Sequence, residues 1–279
     1  MFKGRAASFA STVLSFAMAP GLHASPGDAA DEKDRPPIID EFFLTETVHP
    51  QEKGEFQSTV RVIAAKNDDE GDTNVALIGL EYGITDSFQI EANWVAWSQL
   101  KAAEDDERDR SGSGDMEVGI KYAFDENAKT GVRVAVGFDV TVPLGDVNKD
   151  LGDGFWVYEP FLAVSKNFSG STNLTLNLSY GFLDRDEYPD DIDEAEPEVD
   201  EIEVNVGLVH AFAPVWRGTL ELNLETNEQS GKGDETVAYL APGFIYKGTP
   251  GVEIGLGVPI GLTDDSSDWG VIGMLSIEF

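Results

Sequence analysis

From Gly54 to the final residue, Phe279, the chain repeats one device: a run in which apolar and polar side chains alternate, then a break. Val132, Val134, Val136, Phe138, Val140 and Val142 make the cleanest stripe, with Arg133, Ala135, Gly137, Asp139 and Thr141 between them. Successive side chains of an extended chain point to opposite faces, so each run reads as a strand with one apolar and one polar face. About twelve such runs recur at intervals of about twenty residues, each long enough to cross an outer membrane. Leu174, Leu176, Leu178 and Tyr180 alternate with Thr175, Asn177 and Ser179, and Leu220, Leu222 and Leu224 alternate with Glu221, Asn223 and Glu225. Val252, Ile254, Leu256, Val258, Ile260 and Leu262 oppose Glu253, Gly255, Gly257 and Pro259, where the proline weakens the centre of the strand. Pro160 and Pro242 fall inside two further runs and argue for irregularities there.

The run Ala6 to Met18 is too short, and too rich in Ala and Ser, to span a membrane as a helix, and no later stretch offers the ~20 consecutive apolar residues that a spanning helix needs. In lipid every backbone amide must be paired, which leaves a closed sheet as the other way across. The expectation is an all-β chain: a transmembrane antiparallel up-and-down β-barrel of about 12 strands. A soluble β-sandwich also alternates, but its outward face is polar and its strands are usually shorter. Here the inferred inner residues are Gly, Ser, Asn, Glu and Arg, and the apolar stripes are long. Connection lengths give an independent check. Short links at Gly83–Ser87, Asp125–Thr130, Ser169–Ser171, Ala213–Val215 and Lys247–Pro250 alternate with mostly longer ones, such as Gln99–Asp115, Pro143–Gly154 and Leu183–Glu201. Short periplasmic turns and longer outer loops predict an even strand number with both termini in the periplasm. Aromatics near run ends, among them Tyr82, Trp94, Trp97, Tyr122, Phe124, Phe212, Trp216 and Tyr246, suit two interfacial girdles.

The two ends of the chain fit this reading. Lys3 and Arg5 precede the apolar stretch Ala6 to Met18, and Leu22-His23-Ala24 offers a small-residue cleavage site, so residues 1–24 read as a signal peptide. Residues 25–53 then form a periplasmic N-terminal segment and 54–279 the barrel. Within that segment Ile38 to Glu46 mixes apolar and acidic residues; it reads as a short helix that plugs or caps the barrel, or as a flexible tail. The last strand stops on Phe279, read as the C-terminal assembly signal for the barrel-assembly machinery.

The formal charge is −33, from 52 acidic against 19 basic residues, which excludes nucleic acid as a partner. The acids gather largely between the runs, above all from Asp184 to Glu201. Asp186, Glu187, Asp190, Asp191, Asp193 and Glu194 there are weak candidates for calcium or magnesium, without the central glycine or fixed spacing of an ordered calcium loop. A solvated acidic loop is the plainer reading. The chain has no cysteine, so disulfides and thiolate chemistry are excluded.

The turn and girdle residues carry a resemblance. Leu80-Glu81-Tyr82-Gly83-Ile84-Thr85-Asp86 leads into Phe88–Asn93; Gly112-Ser113-Gly114-Asp115 is followed by Gly119-Ile120-Lys121-Tyr122; and Val142-Pro143-Leu144-Gly145 closes a later run. In this pattern the chain resembles the outer-membrane proteins named for the MetA pathway of phenol degradation, over roughly Gly54–Phe279. The resemblance implies a small barrel and passage of aromatic or other poorly soluble compounds. It does not account for the acidic loops.

On the polar face of the runs lie Glu91, Glu117, Asp139, Glu159, Glu203, Glu221, Glu225 and Glu253, with Arg61, Lys121 and Arg133 as the clearest bases. Such an acidic lining either selects cations at a constriction or packs as ion pairs in a closed barrel. No cofactor site and no catalytic set is legible. His210 lies on the apolar register near a short turn with no serine evidently paired to it, and His49 stands beside Pro50 before the first strand. The expected function is therefore an outer-membrane channel or transporter for a small solute, in contact with lipid and lipopolysaccharide. The competing classes are a closed structural or surface-interaction barrel and, behind it, a lipid hydrolase.

Overall fold

The structure is a computed structural model that describes residues 38–67, 71–102, 109–127, 129–152, 154–183, 199–229 and 235–279. The signal peptide and the candidate cation ligands from Asp186 to Glu194 lie outside the described residues. Fourteen strands follow in order: β1 Phe56–Lys66, β2 Thr73–Thr85, β3 Phe88–Leu100, β4 Arg110–Gly112, β5 Met116–Ala123, β6 Val132–Val142, β7 Val157–Ser169, β8 Thr172–Leu183, β9 Val199–Ala213, β10 Trp216–Gln229, β11 Glu235–Thr249, β12 Val252–Gly257, β13 Ile260–Gly261 and β14 Trp269–Glu278. Because β4 and β5 both pair with β3, and β12 and β13 both lie between β11 and β14, the wall has twelve staves. All pairings are antiparallel between consecutive staves. The sheet closes where β1 meets β14, from Gln57 opposite Glu278 to Lys66 opposite Trp269. Among the described residues the one helical turn is a 3₁₀ turn at Val147–Lys149.

The outward faces carry the apolar stripes. Leu176, Leu178, Leu220, Leu222 and Leu224 are each 40% exposed or more, an arrangement that water would penalise and lipid rewards. Aromatics ring both ends of this belt. Tyr122 meets Phe124, Phe212 meets Phe244 and Trp216 meets Tyr246 at the end that carries the barrel's termini, Phe56 and Phe279, while Tyr180 meets Phe182 at the other. Phe279 stacks on Phe56 at 5.8 Å, and the two residues exchange backbone hydrogen bonds where the barrel closes. The turns at this end, from Thr85 to Phe88, Ser169 to Thr172, Ala213 to Trp216 and Thr249 to Val252, are the short ones.

The prolines act as their chemistry requires. Lacking an N–H, Pro160 interrupts the β7–β8 pairing between Tyr158 and Phe161 without changing its register. Val258-Pro259 separates β12 from β13, yet Val258 donates to Pro242 O at 3.0 Å and Gly270 to Pro259 O at 2.8 Å, so the wall stays bonded. Trp94 and Trp97 both face outward although three residues apart; a register shift in the β2–β3 pairing, between Ala76 and Leu77, places the extra residue that this demands.

The segment before β1 is not helical. Residues 38–51 run as bends and extended backbone inside the barrel and are almost entirely buried. The helix expected over Ile38–Glu46 fails because its backbone N–H groups find long-range acceptors on the wall instead of carbonyls one turn back.

Candidate functional site

The inner wall of the termini end and the segment form one packed unit. Phe43 and Leu44 donate their N–H groups to the two oxygens of Glu221, at 3.0 and 2.8 Å. Asp40 and Glu41 donate theirs to Glu253, at 3.0 and 3.3 Å. The segment's carboxylates meet wall bases: Glu41 pairs with Arg61, Glu46 with Lys121, and Asp40 with Lys247, which also reaches Glu253 at 3.1 Å. Gln57 and Thr59 complete the site of Glu41, at 2.7 and 3.1 Å. Asn177 donates to Glu46 O at 2.8 Å, and Gln51 joins Glu81 and Gln89 at 3.0 and 2.8 Å.

Between these polar contacts lies an apolar core. Ile39, Phe42, Phe43 and Leu44 pack with inward Ile63, Val75, Leu77, Val95, Val209, Tyr239, Ile245, Ile272 and Met274, and Val48 with Ala123, Ala135 and Ala163. At about 1.5–3 kcal/mol per large side chain removed from water, this packing holds the segment as strongly as a small protein core holds an element. His49 stands 3.0 Å from Arg133, and burial, reinforced by that guanidinium, pushes its imidazole down to about 3.

Every acid and base read from the polar face of the runs lies on the inward side; the bases gather toward one end, while the acids run along the whole length. Lys121, Arg133 and Lys247 are in the half of their strands next to the termini, with Arg61 at the midpoint of β1. Glu81, Glu91, Glu221 and Glu253 share that half. Glu117, Asp139, Glu159, Glu203 and Glu225 lie further along, and all five are buried. Among the described residues no base pairs with Glu117, Asp139 or Glu203; Glu117 accepts from Asn93 at 3.0 Å and Glu203 from Ser179 at 3.3 Å. Carboxylate oxygens of Glu201, Glu203 and Glu225 come within 4.8 Å of one another. Gly119 makes room for the carboxylates of Asp139 and Glu91, where any Cβ would collide with them.

With this geometry the family can be assigned. The model of the family described as "Putative MetA-pathway of phenol degradation" matches residues 57–279. The chain belongs to this family. No curated protein matches it in sequence. Among solved structures, an outer membrane channel from Pseudomonas putida F1 superposes with a TM-score of 0.63 at 12% identity, covering 83% of this chain and 98% of that one. KdgM porin superposes with a TM-score of 0.50 at 12% identity, covering 79% and 99%. The chain is therefore an outer-membrane β-barrel in fold, with its apolar belt in lipid.

Residues missed in the sequence are those that bind the segment. Lys247 was read as the start of a short link, whereas β11 runs on to Thr249, and Gln57, Glu81 and Gln89 alternate inward but were not singled out. Asp40, Glu41 and Glu46 are the segment's own contribution, legible only as acids in an apolar context. His210 faces outward near the β9–β10 turn, bonded to Thr172 at 2.8 Å.

Proposed function

We propose that this family member is an outer-membrane channel for small solutes whose lumen is closed by its own residues 38–51. The observation that carries the reading is the division of the lumen. Residues 38–51 are held in it through three ion pairs and share one apolar cluster that reaches Val75, Leu77 and Val95, while Glu117, Asp139 and Glu203 have no base paired with them among the described residues. The carboxylates Glu91, Glu117, Asp139, Glu159, Glu203 and Glu225 favour cations or hydrogen-bonding solutes once the segment withdraws. The short-turn end and both termini face the periplasm, Phe279 serves as the assembly signal for the barrel-assembly machinery, and the longer acidic loops face outward toward lipopolysaccharide.

The same packing favours one second reading, a permanently closed structural barrel, because Lys121, Gln51, Gln57 and Gln89 are fully buried. An engineered tether separates the two. A Cβ at Gly207 would stand 3.1 Å from Thr45 Cγ2, which sets the two positions side by side, and 2.9 Å from the ring of Phe42, so the tether is built together with Phe42→Ala. The chain lacks cysteine, so Thr45→Cys with Gly207→Cys makes a single bridge. In a planar bilayer under a salt gradient, the oxidised protein should be silent and the reduced protein should show stepwise, cation-selective openings. Equal conductance in both states would remove the segment as gate; silence in both, from folded protein, would leave the closed barrel.

A further inference from the structure

The ring of Phe43 lies in a slot cut into the inner wall. Ideal Cβ atoms at Gly255 and Gly257 would stand 2.7 and 2.9 Å from ring atoms, and one at Gly243 closer still, so any larger residue at these positions would expel the ring. Between them the three contacts take in Cγ, Cδ1, Cδ2, Cε1, Cε2 and Cζ, so every atom of the ring stands against a glycine. Thr219 and Met274 border the slot. Glycine weakens a strand and marks a close approach. Three inward glycines on the adjacent strands β11 and β12 therefore describe a receptor for a planar ring.

Beside the slot, fully buried Glu221 accepts the N–H of Phe43 at 3.0 Å. As a set of atoms the occupant is a nitrogen, two carbons and a phenyl ring, which is the skeleton of an arylethylamine. Its nitrogen faces a carboxylate and its ring faces glycine. Inward on the wall, further from this end, stand Glu117, Asp139, Glu159, Glu203 and Glu225, and carboxylates so placed would draw in cations and turn back anions once the lumen opens.

We propose that this slot binds small aromatic amines in their ammonium form, which compete with Phe43 for the glycine floor and for Glu221 and so draw the segment out of the lumen. The inference rests on the reading of the chain as a channel closed by residues 38–51. An ammonium brings charged donors to Glu221 where the segment brings neutral N–H groups, and charge-assisted hydrogen bonds are roughly twice as strong. Aliphatic amines lack the ring; aromatic carboxylates meet the wrong sign at the far end and again at Glu221.

The test uses the refolded mature chain with three probes, phenethylamine, n-hexylamine and 3-phenylpropionate, measured by calorimetry in detergent and as potassium flux from vesicles. Phenethylamine should bind saturably, about tenfold or more tighter than either other probe, and should raise potassium flux. Phe43→Ala vacates the slot and should tighten phenethylamine about tenfold; Glu221→Gln should weaken it about tenfold. Equal affinity for the three probes, a preference for the carboxylate, or no effect of Phe43→Ala overturns the proposal. Should a variant fail to show the heat-dependent gel shift of a folded barrel, the ranking of the probes on the unaltered chain decides alone. Potassium flux that rises on segment release without selective phenethylamine binding sinks the site and leaves the channel standing. Selective binding without any flux does the reverse.

Discussion

Lys121 is the base whose removal should loosen the segment most. Its ammonium is 0% exposed and pairs with Glu46, itself almost wholly buried, so Lys121→Met leaves a carboxylate in the packed lumen without a cation. Breaking a buried pair from one side costs about 3–5 kcal/mol, which corresponds to an increase in the released fraction of about a hundredfold to a few thousandfold. Replacing both partners by apolar residues of similar size should restore part of this, because the segment's orphaned carboxylate is gone while Glu91 and Glu81 still lose the ammonium beside them. The readout is the labelling rate of a single cysteine at position 44. Leu44 is buried in the apolar core of the segment, and the native chain contributes no background thiol. Maleimide should react in Lys121→Met at a rate raised by that factor over the parent, and in Lys121→Met with Glu46→Met at a rate between the two. If labelling in the single variant equals that of the parent, the ion pair does not hold the segment. If the double variant labels as fast as the single one, lost packing of the lysine stem, and not the orphaned charge, is the cause.

Three further outcomes follow from the same geometry. His49 is held near a pKa of about 3 against its ordinary 6.5, so the released segment binds a proton that the seated one does not; seating weakens as pH falls below about 6.5, by up to tenfold per unit, and the difference between the parent and His49→Gln in the same labelling assay isolates this group from the segment's carboxylates. Leu222→Arg on the outer belt, at 43% exposure in the middle of β10, should cost about 2–4 kcal/mol in lipid by urea unfolding in vesicles, and no loss would mean that this face is not in the bilayer. Glu203→Gln combined with Asp139→Asn should move the reversal potential of the reduced tether variant toward zero; an unchanged potential would take selectivity away from the far half of the lumen.

The wall was legible because its rule is local. A residue on β6 or β10 faces lipid or lumen by parity alone, so the stripes of Val132–Val142 and Leu220–Leu224 could be read without knowing any partner. Parity fails where tertiary contacts intrude. On β2 and at the end of β1, inward Ile63, Val75 and Leu77 blur the alternation because they pack against Ile39, Phe42, Phe43 and Leu44 of the segment. Trp94 and Trp97 conflict with strict alternation until the shift in the β2–β3 register is known. The segment itself was the hardest to place. Its mixed apolar and acidic residues suggested a helix, but Glu221 and Glu253 take up its backbone donors from more than 170 positions away in sequence, and no local pattern announces such a partner.

The division of charge along the lumen follows from the segment. Arg61, Lys121 and Lys247 are the three wall bases that meet its carboxylates, and Glu41, Glu46 and Asp40 answer them one for one. Release would therefore uncover two positive charges in the half next to the termini and a third at the midpoint of β1, while the far half keeps its carboxylates. In the proposed open pore the far end would concentrate cations, while the near half would be about balanced, with Glu81, Glu91, Glu221 and Glu253 facing the uncovered bases. Net selectivity then depends on which half is narrower after release, and neutralising a base should shift it as strongly as neutralising an acid. Arg61→Gln in the reduced tether variant should make the reversal potential more cation-selective, with Glu203→Gln moving it the other way. Shifts of opposite sign would establish that both halves sit in series on one conduction path; a response to Glu203 alone would confine selectivity to the acidic end.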